Sequence, residues 1–338
     1  MQNVKERLPV IDNLKGFLIF CVVLGHLVEF SGFPYSKILY CTIYLFHMPA
    51  FVFLSGYCCK ENESIVSIFQ KYLYPYVIWQ TIYILFRIMV LGLEEKLQFF
   101  VPYWHLWYLL SLFIWHFLIR FFKTVSKKTQ GIVVLLFVVL GLFIGFIETG
   151  YDFLEISRVI VLFPFFFIGY YSGKKNWDYS CNKRLKRFLC VATLFVFVCL
   201  CMSLDVVMHK WMFHSMPYEL FGYTWWIRLV LLIASGVITA FLCCVFPKKK
   251  LPLLTYIGQN SMPVYILHGF IILLLKHTVF FRELFFRNPG YVFLSAVLIT
   301  LILSSKPVVK IIKPFMRWPI KKGVIKKESD EGKEDVVS

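Results

Sequence analysis

The feature that most constrains this chain is a series of apolar runs near 20 residues long, which recur from one end to the other. A helix needs about 20 apolar residues to cross the roughly 30 Å hydrocarbon core of a bilayer. Of the 338 residues, 59% are hydrophobic and only 16% are charged, too few to cover the surface of a soluble domain of this length. The sequence therefore predicts an all-α, polytopic transmembrane helical bundle. About ten spans are expected, near residues 11–30, 38–58, 72–91, 104–122, 131–147, 157–173, 188–207, 225–246, 261–281 and 290–306.

The charges predict an orientation for these spans. If the N-terminus is placed inside, most of the 36 Lys and Arg residues fall in the inside segments, as the positive-inside rule requires. Both termini are then cytoplasmic, with a membrane domain over residues 1–310 and a basic, then polar tail over 311–338 whose end is expected to be disordered. The first span has no small-residue cleavage site after it, so we expect it to be retained as an anchor.

The net charge of +17 needs no nucleic-acid partner, because topology and contact with anionic lipid headgroups account for much of it. The ten Cys residues lie mostly within or beside spans and show no metal-ligand spacing. We therefore expect reduced thiols and no metal site. Gly-rich nucleotide loops, His–Glu metal signatures and serine nucleophile elbows are also missing from the sequence.

The first apolar run, IDNLKGFLIFCVVLGHLVEF, carries unexpected polar residues. Lys15 and His26 are three turns plus about 20° apart on a helix, and roughly 16 Å apart along its axis, so they share a face. Asp12 and Glu29 extend the same stripe, through positions 12, 15, 19, 22, 26 and 29. Taken alone, the run also fits a structural reading, in which His26 bonds another helix and Lys15 marks the inner boundary.

Polar side chains within the other spans are candidates for function, because burial in hydrocarbon makes them costly. His47 lies beside Pro49, whose kink suits either a cavity wall or a purely structural bend. Trp107 belongs to a cluster of aromatics that is also typical of a membrane-interface belt. The remaining candidates are Arg87, which is able to snorkel outwards, His105, His116, Arg228, Asn260 and His268, with Arg158 at the edge of a span.

Several motifs, taken in order, resemble the acyltransferase-3 family of integral-membrane acyltransferases, especially its fucose 4-O-acetylase-like branch. The pattern of Asp12, Lys15 and His26 is similar to the opening of the family. FHMPAFVFLSGY at 46–57 matches its second-span motif, and KYLYPY at 71–76 matches the start of its third. Ile68 stands where members often carry a further basic residue. WYLL, FFFIGYYSGKK and IGQNSMPVYILHG match later segments in order.

The resemblance implies transfer of an acyl group, commonly acetyl from acetyl-CoA, to a hydroxyl of a cell-surface or lipid-linked carbohydrate. A neutral buried imidazole is able to accept the hydroxyl proton, and His26 is the predicted general base. His47 or His268 is expected to orient that base or stabilise the oxyanion. Lys15 and Lys71 are predicted to hold the donor phosphates. Predicted substrate contacts are Asp12, Glu29, Arg87, His105, Trp107, Arg228, Asn260 and His268.

Two other functions stay open at this point. A transporter or flippase of a polysaccharide or lipid-linked intermediate would also have many spans, broken helices and polar groups inside the membrane. A membrane scaffold or sensor without catalysis is the third hypothesis. For the acyltransferase, the expected location is the bacterial cytoplasmic membrane.

Overall fold

The computed structural model describes residues 8–150, 152–174, 181–204, 209–279 and 287–316, and the regular elements in those residues are all helical. The all-α prediction is therefore confirmed. The principal helices are α1 (Pro9–Val28), α2 (Ser36–Tyr57), α3 (Ile65–Ile68), α4 (Tyr74–Met89), α5 (Trp107–Leu118), α6 (Lys127–Phe143), α7 (Ile156–Lys174), α8 (Lys183–Met202), α9 (Tyr218–Phe221), α10 (Trp225–Val245), α11 (Pro252–Gln259), α12 (Ser261–His277), α13 (Pro289–Ser304) and α14 (Lys306–Ile312).

Within the described residues, seven helices are long and apolar enough to cross a membrane, and nine if each of two bent pairs counts as one span. These nine fall at predicted positions. The third predicted span corresponds to α4, which has only 16 residues and continues from α3 through one turn of π-helix, Phe69–Leu73. The number ten and the orientation of the termini stay predictions.

Two late spans are bent rather than straight, which the sequence did not predict. The axes of α11 and α12 meet at 78°, and those of α13 and α14 meet at 60°. Asn260 lies at the first break, between the two helices. Ser305 lies at the second break with an extended backbone, and Pro307 follows it inside the first turn of α14. Proline suits the first turn of a helix, because its N–H would be unpaired there anyway.

The core of the bundle depends on close helix contacts. The helix α2 packs along α7, and a methyl group added at Gly56 or Gly169 would collide with the backbone of the facing helix. The helix α1 packs in the same way on α11, where Gly16 faces the Leu254 carbonyl. Small residues at such contacts let membrane helices approach closely. These contacts fix α1 and α2 at the centre, while α6 and α8 lie at the periphery with mostly exposed apolar faces.

One prediction about the cysteines is wrong. Cys181 and Cys244 form a disulfide that joins the segment before α8 to the end of α10, although reduced thiols were expected. The other eight cysteines are free. Of the predicted tail, residues 317–338 lie outside the described part of the chain, so its expected disorder stays a prediction.

Candidate functional site

The predicted stripe of α1 lines two cavities inside the described part of the bundle. Lys15, Ile19 and Val22 line the first, here called the Lys15 cavity. Val22, His26 and Glu29 line the second, called the His26 cavity. The helical period that aligned these positions in the sequence therefore produces a continuous wall that passes from one cavity to the other.

Three other helical segments run through both cavities in the same way. On α2, Tyr44, His47 and Met48 line the His26 cavity, and Met48, Phe51, Ser55 and Cys58 line the Lys15 cavity. The first residues of the segment that begins at Trp104 line the His26 cavity. One face of α5, farther along the same segment, lines the Lys15 cavity. The helix α12 contributes Tyr265 to both.

The two cavities share three lining residues, Val22, Met48 and Tyr265. We call these residues the shared wall. The Tyr265 hydroxyl donates a hydrogen bond to the main-chain carbonyl of His105, which fixes the ring across the boundary. Met48 is unbranched and flexible, so it is the wall residue best able to change shape. The separation between the cavities is therefore a single layer of side chains.

The His26 side chain belongs to a connected set of hydrogen-bonding groups in the His26 cavity. Its Nδ1 lies 2.9 Å from the Tyr44 hydroxyl and 3.3 Å from the Glu29 carboxylate, and the same hydroxyl lies 3.4 Å from that carboxylate. One arrangement satisfies these contacts: Nδ1–H donates to Tyr44, and Tyr44 donates to Glu29. The lone pair of His26 then lies on Nε2, as a general base requires.

Two further histidines, His105 and His268, lie close to His26. The ring centroids of His26 and His268 are 5.3 Å apart, and those of His105 and His268 are 4.6 Å apart. The Trp104 ring lies 4.6 Å from that of His26. These rings come from α1, α12 and the short 3-10 turn before α5, so the fold brings together side chains that are far apart in sequence.

The histidines differ in which ring nitrogen remains free. His268 Nδ1 donates to the Val264 carbonyl at 2.9 Å, and His47 Nδ1 donates to the Ile43 carbonyl at 2.7 Å. A neutral imidazole bound in this way has a lone pair on Nε2, so it accepts rather than donates there. His105 makes no hydrogen bond of good geometry at either ring nitrogen within the described residues, which leaves it able to donate.

The Lys15 cavity is basic. Its ionisable lining includes Lys15, Lys60 and Lys71 against a single carboxylate, that of Glu63. Lys71 lies in the π-helical turn and pairs with Glu63, whereas the Lys15 ammonium lies 3.2 Å from the sulfur of Cys58. An excess of ammonium groups in a concave site attracts anions, phosphates in particular.

The predicted site residues fall into two groups. The cavities or their immediate neighbours bring together His26, His47, Glu29, His105, Trp107 and His268 at one end, and Lys15 and Lys71 at the other. The other four predicted substrate contacts line neither cavity. Asp12 accepts from Gln259, Arg87 pairs with Glu95, Arg228 donates to Gly141, Met216 and Tyr223, and Asn260 donates to Tyr256. Their substrate role stays a prediction.

The sequence predicted no site role for several of the residues that line the cavities. Arg158 lies 3.1 Å from Glu155 and stacks over Trp107, and both charged groups line the His26 cavity. Lys60 and Glu63 lie between helices, where no helical period could indicate them. Both Glu155 and Arg158 are charges beside a predicted span; the sequence indicated Arg158 as a candidate at its edge, and Glu155 could have been found by the same signal. In the described part of the chain, no group of three or more His, Cys, Asp or Glu residues is arranged to hold a metal ion.

Comparisons with known proteins show the family of this chain. A family model described as an acyltransferase domain matches residues 8–305. The chain is also 30% identical to the nodulation protein NolL of Sinorhizobium fredii, over 34% of this chain and 37% of that protein, so the similarity spans little more than a third of the relative. No solved structure gives a significant match. Because the family model covers nearly the whole membrane bundle, this chain belongs to the acyltransferase-3 family of integral-membrane acyltransferases.

Proposed function

We propose that this protein transfers an acyl group, acetyl by preference, from acyl-CoA to a hydroxyl of a cell-surface or lipid-linked carbohydrate in the bacterial cytoplasmic membrane. The observation that carries the proposal is the single face of α1 that lines two chemically different cavities, with Lys15 in one and His26 in the other. A transferase with one anionic and one polyhydroxylated substrate needs two such sites, and their reacting ends must meet.

The Lys15 cavity suits the nucleotide end of the donor. Lys15, Lys60 and Lys71 supply ammonium groups for phosphates, and Lys71 shares its charge with Glu63. Lysine binds phosphate as a point charge rather than through a bidentate fork, so several lysines around one cavity fit a flexible, multiply charged ligand. Under the positive-inside orientation this cavity opens towards the cytoplasm, where acyl-CoA is made.

The His26 cavity suits a sugar. The indoles of Trp104 and Trp107 offer flat apolar surfaces, and Glu29, Glu155 and Arg158 offer hydrogen bonds to hydroxyl groups. A few convergent polar groups on an aromatic lining are typical of sites that orient a small polar ligand. The sugar would enter from the end opposite to the donor.

The shared wall then decides where the substrates meet. The acyl end of the donor must reach past Val22, Met48 and Tyr265 to approach His26. A small acyl group passes such a constriction with less displacement of side chains than a long one, which supports acetyl as the preferred group.

In the proposed reaction, Nε2 of His26 accepts the proton of the attacking hydroxyl while the oxygen bonds to the thioester carbonyl carbon. Tyr44 and Glu29 hold the ring and stabilise the imidazolium that forms. The carbon–sulfur bond then breaks, and the proton returns from His26 to the departing CoA sulfur. His105 is the histidine best able to donate to the developing oxyanion, while His47 and His268 accept from sugar hydroxyls or orient the cluster.

The direct test uses purified protein in detergent with radiolabelled acetyl-CoA and a panel of methyl glycosides. We expect His26→Ala to lower kcat by about 10²- to 10⁴-fold, the usual contribution of a positioned general base. His277→Ala is the matched control, because His277 is exposed near the end of α12 and lines neither cavity. Transfer at the wild-type rate by His26→Ala would contradict the proposed base.

One observation also favours the transporter hypothesis. Bent helices and cavities separated by a thin wall are features of proteins that expose one site to alternate sides of a membrane. Vesicle uptake of a labelled glycan without acetyl-CoA would support that function. Acetylated product with no net glycan uptake would support the acyltransferase.

A further inference from the structure

We propose that His214 forms a subsite for a non-reacting hydroxyl of a neutral carbohydrate acceptor, at the side of the His26 cavity. This inference rests on the proposed function and assigns a specificity residue to its acceptor site. His214 lies outside the helices, matches no motif of the sequence and has no part in the proposed proton transfer.

The segment that carries His214 is held rigidly. It follows the 3-10 turn His209–Phe213, and Trp211 Nε1 donates to the Phe221 carbonyl at 2.7 Å across the loop. The Tyr223 hydroxyl donates to the Met216 carbonyl, also at 2.7 Å. These bonds close the loop on itself immediately beside His214.

Arg228 then ties the loop to the bundle. Its guanidinium is fully buried and donates to the Gly141 carbonyl on α6, the Met216 carbonyl and the Tyr223 hydroxyl. A buried arginine with protein partners on two elements fixes their relative position. Arg228 therefore acts on this site as a positioning residue.

His214 is held in an unfavourable state by this framework. Its φ angle is 59°, in the left-handed region that non-glycine residues seldom occupy. Its side chain is 2% exposed, and neither ring nitrogen has a hydrogen-bond partner within the described residues. Buried polar groups are normally paired, and backbone strain held in place by a rigid surrounding clusters at ligand sites.

Most of the other buried histidines have a hydrogen-bond partner. His47, His116 and His268 each donate Nδ1 to the carbonyl one helical turn earlier, and among the described residues His105 shares the unpaired state of His214. His214 has no helix to supply such a partner, and it lines the His26 cavity. A ligand in that cavity is therefore the natural partner for its nitrogens.

The chemistry of the subsite indicates the class of ligand. Burial, then the charges of Arg228 and Arg158, lower the pKa of His214 to about 3, so the ring is neutral at physiological pH. A neutral imidazole has one donor and one acceptor, which complements a hydroxyl group. Glu29 and Glu155 outnumber Arg158 among the fixed charges of the lining, which disfavours an anionic sugar.

The test compares His214→Asn with His214→Leu. Asparagine tolerates a positive φ and keeps a donor and an acceptor, whereas leucine has a similar size but no polar atom. The readouts are the KM for methyl fucoside and for methyl glucoside, the KM for acetyl-CoA, and the thermal midpoint of the purified protein.

We expect His214→Leu to raise the KM for the glycoside by about tenfold, the effect of one lost hydrogen bond. His214→Asn should stay within about threefold of wild type on the same reasoning, and the KM for acetyl-CoA should not change in either variant. Methyl glucuronide should be a poorer acceptor than methyl glucoside for wild type. An unchanged glycoside KM in His214→Leu would overturn this inference alone, whereas no transfer by wild type would overturn the proposed function as well.

A second measurement needs no variant, in case His214→Leu does not fold. Diethylpyrocarbonate modifies neutral imidazoles, and mass spectrometry of the peptide that contains His214 reports the extent. We expect saturating glycoside to protect His214 in the wild-type protein. Equal modification with and without glycoside, or no modification in either state, would count against the subsite.

Discussion

The Lys15 cavity and the His26 cavity are built on the same faces of the same helices, yet they differ in charge and in the partners of their side chains. Lysines dominate the first, and several of its polar groups, Lys71 and His116 among them, are bound to protein partners. Carboxylates, indoles and incompletely paired histidines dominate the second. One face of α1 therefore lines two sites with different binding chemistry, and Val22 lies at the boundary between them.

The largest expected effect comes from closing the shared wall. Met48→Trp should lower transfer by about 10²-fold or more, because the reacting groups would be held apart by more than an ångström. Acetyl-CoA binding, measured by equilibrium dialysis, should persist because the lysines are untouched. Met48→Leu, which nearly conserves volume, should keep most of the activity. If Met48→Trp transfers acetyl normally, the wall does not lie on the reaction path.

An intermediate effect is expected from removing a lysine of the Lys15 cavity. Lys15→Ala should raise the KM for acetyl-CoA by about tenfold, since a charge-assisted contact is lost. The glycoside KM should not change, and high salt should reduce the difference between variant and wild type. Lys276→Ala removes the same charge from a residue that lies over Phe30 and lines neither cavity, so it is the control. Equal effects of the two variants would remove Lys15 from the donor site.

The smallest expected effect on activity comes from Tyr44, which contacts the proposed base His26. Tyr44→Phe removes the hydroxyl that joins His26 to Glu29 but leaves the ring, so kcat should fall by about tenfold or less. Neither KM should change. Single-turnover kinetics would check this, because they separate chemistry from binding. A rise in the glycoside KM with constant kcat would indicate that Tyr44 contacts the sugar instead.

The sequence predicted the helical class and the stripe on α1 because both depend on local periodicity. Lys15 and His26 share a face on any helix, whatever surrounds it. The kink expected beside His47 rests on local information as well, since Pro49 cannot complete the helical ladder, and it stays a prediction. None of these features depends on how the helices pack against one another.

The rest depended on tertiary structure. His105 and His268 meet His26 only because α12 is bent away from α11 and packs against α1, which no period reveals. Arg228 was predicted as a site residue because it is a charge within a span, but its contacts with α6 and with a loop are visible only in the structure. His214 could not be identified from the sequence. What distinguishes it is an unpaired buried ring and a strained backbone, and both are visible only in the structure.

The measurement that tests the central claim most directly uses inverted membrane vesicles, whose cytoplasmic face points outwards. Labelled acetyl-CoA is added outside, and methyl fucoside is sealed inside at the same time. The account predicts labelled acetylated glycoside in the vesicle lumen, formed by wild type and lost in Met48→Trp. Product formed only when both substrates are on the same side would contradict the claim that the two cavities serve opposite faces of the membrane.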